Sequence, residues 1–168
     1  MTAPEDVRAR ARRTLITEES VYGLILVSGM IVVSNSLVGT SLNALISVFV
    51  TVVVFFAAHV YAGTIARLAI GGTQARLRPS IAAAIRHSQG MLLASVIPLV
   101  VLLLGVSHLI DDDVAIWAAL LVDTLLLGVL GWLAVAHWTS KFWVRLTSAL
   151  TTAAFGAIIV LLKALIHH

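Results

Sequence analysis

The chain has no cysteine, which excludes disulfides, thiolate-held metal centres and thiol nucleophiles. Charge is nearly as scarce. Only 11% of residues are Asp, Glu, Lys or Arg, whereas a soluble domain, whose surface faces water, carries about 25%. Nor is there a glycine-rich loop with Lys to cradle a phosphate, a nucleophile elbow, or a stretch outside the apolar runs long enough to hold a nucleotide. These gaps exclude ATP-driven transport within the chain and leave no constellation for an enzyme. The apolar runs dominate instead: 60% of 168 residues are hydrophobic. That length allows one domain, and its apolar runs are too long and too numerous to be buried in a soluble protein of this size.

A helix needs about 20 apolar residues to cross the hydrocarbon of a bilayer, with every backbone amide paired inside the segment. Five stretches satisfy this, Ser20 to Val38, Asn43 to Ala66, Gln89 to Leu109, Val114 to Trp138 and Leu146 to Ile166. Pro98 lies within the third, where neighbouring helices can satisfy the carbonyl it frees. The expected fold is therefore an all-α integral, multi-pass protein of the cell membrane. It comprises an arm over residues 1–19 and a five-helix transmembrane domain over residues 20–168. The arm lacks the short apolar core and cleavage site of a secretory signal and reads as mature protein.

Orientation follows from Lys and Arg, which collect in cytoplasmic loops. Arg8, Arg10, Arg12 and Arg13 precede the first span; Arg67, Arg76, Arg78 and Arg86 flank the second loop; Lys141 and Arg145 lie in the fourth. The first loop has neither residue type, and the third is Asp111-Asp112-Asp113. This alternation places the N-terminus in the cytoplasm and the C-terminus outside. The net charge of +3 thus marks topology rather than a nucleic-acid surface. Residues 1–19 mix Arg with Glu5, Asp6, Glu18 and Glu19, a pattern for a short amphipathic arm on anionic lipid as well as for a plain topological anchor. Asp111 to Asp113 read as a solvated acidic turn or as a collector of cations at an outer mouth. His167 and His168 carry no weight.

A weak parallel repeat is also present. Ala58-His59, seven residues, then Arg67-Leu68 correspond to Ala136-His137, seven residues, then Arg145-Leu146, and Gly23 to Ser28 resemble Gly90 to Ser95. Such a repeat relates helices 1-2 to helices 3-4 and sets His59 and His137 at matching depths, with the site at the repeat interface.

Asp123 is the sharpest single signal. Nine residues from the outer end of its span, it lies near the midplane at about 1.5 Å per residue, where Asp costs about 2.5–3.5 kcal/mol on insertion scales. It is expected to face the interior, either as a proton or cation site or as a protonated group bonded to a neighbouring helix. Asp123, Leu127, Leu130, Ala134, His137 and Lys141 form one helical stripe. His137 also fits the interfacial belt of Trp138 and Trp143. His59, about 12 Å from Arg67 along its helix, is too deep to snorkel; it is either a relay group near its neutral titration range or a core histidine bonded to a hydroxyl. Glu19 caps the first helix and, with His59, His87, Ser88 and His137, falls in the inner third. Carboxylate plus imidazole suits a divalent metal, but no pair has the close spacing of a metal motif, and no metal site is expected. The small residues Gly23, Ser28, Gly128, Gly131 and Gly63 fit close helix packing.

Three functions fit this pattern. The first is a small channel or secondary transporter for protons or a cation, a homo-oligomer because five helices rarely enclose a water path alone. It uses Asp123 centrally, with His59, His137 and Glu19 as relay groups. The second is a non-catalytic scaffold or accessory subunit that binds a partner protein or lipid. The third is a redox protein holding haem b between His59 and His137.

Overall fold

The computed structural model describes residues 17–37, 39–72, 76–136 and 138–166. His137, His167, His168 and all but the last residues of the expected N-terminal arm, with its arginines, lie outside them. The described residues form five α-helices and no strand: α1 (Glu18–Leu37), α2 (Ser41–Gly71), α3 (Leu77–Val106), α4 (Asp112–Ala136) and α5 (Phe142–Ile166). Four of these, α2 to α5, are long and apolar enough to cross a membrane. The fifth expected span, α1, begins with Glu18-Glu19 and carries Ser34-Asn35 near its far end.

Packing explains how α1 accommodates those polar residues. It touches all four other helices and buries one continuous stripe, from Glu19 and Ser20 through Gly23, Leu24, Val27, Ser28, Ile31 and Val32 to Ser34 and Asn35. Its neighbours are two antiparallel pairs, α2 with α3 and α4 with α5, joined through α3 and α4. Large apolar side chains point outward instead, among them Phe49, Val50, Val54 and Phe55 on α2 and Leu150, Phe155, Ile158 and Leu161 on α5. A surface of that kind is compatible with a membrane protein and unfavourable in water.

Helix ends depart from the apolar spans for local reasons. Thr40 caps α2, its hydroxyl accepting from the Asn43 amide at 3.4 Å, so the helix starts at Ser41. The third helix begins twelve residues before Gln89, because Pro79 falls in its first turn, where a missing amide costs nothing. Both α2, with 31 residues, and α3, with 30, outrun the apolar segments, and their hairpin carries Arg67, Arg76, Arg78 and Arg86. This end, with Lys141 and Arg145, is the basic end; Asp111 to Asp113 mark the acidic end. At the acidic end α3 terminates at His108 in the left-handed region, φ 58°, a conformation His tolerates better than most residues. Asp112 receives the Ser41 amide at 3.1 Å, tying the N-termini of α2 and α4 to one carboxylate, the sign their dipoles favour. At the basic end Arg145 donates to the carbonyls of Thr139 at 2.8 Å and Ala136 at 3.1 Å, closing the C-terminus of α4. The residue that signals orientation in the sequence thus also caps a helix.

The two halves of the sequence repeat have different fates. Residues 58–68 lie within α2, whereas Ala136 ends α4 and Arg145 already belongs to α5, so these matched stretches do not share a structure. Segments 23–28 and 90–95 do share their order of buried positions, and they pack side by side: a Cβ on Gly23 would come within 3.2 Å of Met91 Cα.

Candidate functional site

Among the described residues, three ionisable side chains are buried at successive levels of the bundle. Asp123 on α4 is fully enclosed. Its Oδ2 accepts from the Ser28 hydroxyl of α1, and its Oδ1 has no hydrogen-bond partner among the described residues. Asp123 therefore faces the bundle interior, where only helix packing could have delivered Ser28. Toward the basic end it is followed by a layer of Leu24, Ala94, Leu127 and Leu130. Toward the acidic end lies the larger cluster that includes Ile31, Val48, Leu102, Ile116 and Leu120. The carboxyl thus sits between two apolar layers.

The second level is the basic end of α1. Glu19 is 4% exposed, and its Oε1 is 2.6 Å from His87 Nε2 on α3. Its Oε2 has no hydrogen-bond partner among the described residues. Nine residues separate Glu19 from Ser28, about 13 Å of helical rise. At the third level, toward the acidic end, Lys163 of α5 is 1% exposed and places Nζ 4.1 Å from the ring centroid of Trp117. That cation–π contact and the charge of Asp113 are what the ammonium has in place of a hydrogen bond among the described residues. Trp117 precedes Asp123 by six residues, about 9 Å along α4.

The structure does not bring His59 into this arrangement. Its ring is partly exposed on α2, stacks at 5.9 Å on Phe55, and pairs Nδ1 with the Phe55 carbonyl at 3.0 Å. The hydroxyls of Tyr61, Thr64 and Ser20 do not reach it; Thr64 donates to the Val60 carbonyl of its own helix at 2.6 Å. The antiparallel register of α2 and α3, with Gly63 beside Ala84 and Ser41 beside Gly105, puts His59 near the level of His87. It is thus about 12 Å from that of Asp123. His137 lies outside the described residues, so its relation to Asp123 and His59 stays an expectation.

One candidate, Lys163, and one pairing, that of Glu19 with His87, were not legible in the sequence. Lys163 lies three residues before the end of the fifth expected span, a position where a long side chain ordinarily snorkels to the surface. Only its burial against Trp117 sets it apart. His87 was visible as part of an inner-third group, but its pairing with Glu19 spans 68 positions and depends on how α1 meets α3. No family model, curated protein or solved structure matches the chain.

Proposed function

We propose that the chain is a multi-pass protein of the cell membrane with five spans, its N-terminus cytoplasmic and its C-terminus outside. On this reading it moves protons or a small cation as a secondary transporter or channel, and Asp123 is its central site. The observation that carries the proposal is the enclosure of Asp123, bonded to Ser28 through one oxygen and with the other idle. A carboxyl kept at such depth against an insertion cost is a default candidate for function. The apolar layers on either side support an occluded arrangement. In such a cycle the carboxyl holds its proton or cation with both routes closed, and opening one layer at a time exposes it to one side. Glu19 with His87 lies on the basic-end route and Lys163 on the acidic-end route. Anionic lipid at the arm and a homo-oligomeric assembly belong to the same proposal.

Proton and cation flux into proteoliposomes tests it. Wild-type protein is expected to conduct, Asp123→Asn to lose flux, and Ser28→Ala to lower it. His59→Ala, removed from the column, is expected to retain most of it. Equal flux in wild type and Asp123→Asn, or none in wild type, rejects the mechanism.

A second reading, a scaffold or accessory subunit, draws on the close approach of the helices. A Cβ on Gly105 would meet Ala115 Cβ at 2.6 Å, and one on Gly156 would meet Thr124 Cα at 3.0 Å, contacts suited to a permanently closed core. It predicts no flux and stable co-purification with a partner. The haem b reading needs His137 beside His59, and purified protein without a Soret band rejects it.

A further inference from the structure

We propose that Glu18, Glu19 and His87 form a binding site for a divalent transition-metal ion of the zinc class at the basic end of the bundle. The site shares Glu19 and His87 with the basic-end route but involves neither Asp123 nor Ser28, and it stands whether or not the chain conducts ions.

The proposal starts from how α1 meets α3. Gly23 and Met91 touch so closely that a Cβ on Gly23 would lie 2.8 Å from Met91 Cγ. Glu19 precedes Gly23 by four residues, and His87 precedes Met91 by four. On parallel helices one turn of about 3.6 residues therefore carries the same close approach to the Glu19–His87 pair. Glu18 adds a second carboxylate, and one ligand atom from each of the three residues lies within 4.8 Å of the others. In a tetrahedral centre with metal–nitrogen and metal–oxygen bonds near 2.1 Å, neighbouring donors sit about 3.4 Å apart. Side-chain rotation alone can cover that difference.

A simple Glu–His ion pair leaves part of the arrangement unexplained. It occupies Glu19 Oε1 only. The other oxygen of this 5%-exposed side chain is buried without a hydrogen-bond partner among the described residues, a costly state for a carboxylate. A cation engages both oxygens or neutralises the group outright, and two carboxylates cancel the charge of a divalent ion. Imidazole with carboxylates favours zinc, manganese, iron or cobalt over calcium and magnesium, which prefer oxygen alone. Entry is open, because Glu18 is exposed and the His87 side chain is 51% exposed. Three protein ligands leave a fourth position for water.

Zinc titration calorimetry on the detergent-purified full chain provides the test, in a background where His167 and His168 are both replaced by Ala. One Zn²⁺ per chain is expected. Glu19→Gln and His87→Gln are each expected to weaken binding about 100-fold, the upper end of what even outer-shell partners contribute, and the exposed Glu18→Gln about tenfold. His87→Gln retains an amide donor for Glu19, so the fold is kept while the imidazole is lost; helicity by circular dichroism verifies this. Co²⁺ added in place of zinc is expected to give the visible band of a four-coordinate ion in wild type and to lose it in His87→Gln. No saturable zinc binding in the parent, or binding in Glu19→Gln and His87→Gln as tight as in the parent, overturns the proposal.

Discussion

Lys163 and Trp117 illustrate how single residues acquire meaning from their surroundings. An ammonium 1% exposed, with a ring 4.1 Å away and no hydrogen bond among the described residues, gains about 2 kcal/mol from the desolvated cation–π contact. Burial costs it several kcal/mol. The balance predicts opposite outcomes for two substitutions. Lys163→Met, which keeps the volume and removes the charge, is expected to leave stability unchanged or raise it by about 1–4 kcal/mol. Trp117→Ala, which removes the ring and strands the charge, is expected to cost about 3–5 kcal/mol. Reversible unfolding in mixed micelles measures both, and a large loss in Lys163→Met would mean that the attraction of Asp113 outweighs the cost of burying the ammonium. Asp123 carries the same lesson in another form. Its interior position was readable from the insertion cost of a carboxylate, but Ser28, 95 positions away, was not.

At the level of helices, small residues decide how near two backbones come, and identical residues on one helix need not do the same work. Gly128 and Gly131 both face α5. A Cβ on Gly131 would meet the Ser148 carbonyl at 2.7 Å and Thr152 Cβ at 2.9 Å, whereas one on Gly128 would find Ala153 Cβ at an ordinary 3.5 Å. Gly131→Ala is therefore expected to destabilise by about 1–3 kcal/mol through overpacking. Gly128→Ala is expected to be neutral or to gain up to about 1 kcal/mol from helix propensity. Comparing unfolding midpoints of the two variants checks this; similar losses in both would mean that the spacing of α4 and α5 is not set at Gly131. Both glycines were expected in packing roles from composition alone. Their inequality depends on Ser148 and Thr152, which no periodicity in α4 could reveal.

The whole molecule presents α1 to its four neighbours and large apolar side chains to the outside, with a basic and an acidic end. If the chain spans a bilayer as proposed, those ends face opposite compartments. The absence of cysteine makes this directly measurable, because an introduced thiol has no background. In intact cells, impermeant maleimide is expected to label Thr40→Cys and Asp111→Cys at the acidic end and to spare Gly72→Cys and Ser140→Cys until the membrane is opened. Labelling of both pairs from one side would refute the five-span topology.

Hydropathy and charge by themselves determined the all-helical class, the near-positions of four long apolar helices and the two charged ends, because these properties are local sums over neighbouring residues. They also flagged Asp123, since hydrocarbon penalises a carboxylate wherever its helix packs. Tertiary structure alone decided that α1 packs against all four other helices, as α4 does, and that His59 stays on its own helix beside Phe55. It likewise decided that Glu19 meets His87 and that Lys163 turns inward onto Trp117. Each of these depends on the rotation and register of one helix against another, and those are set by close contacts such as Gly23 on Met91, between residues far apart in the chain.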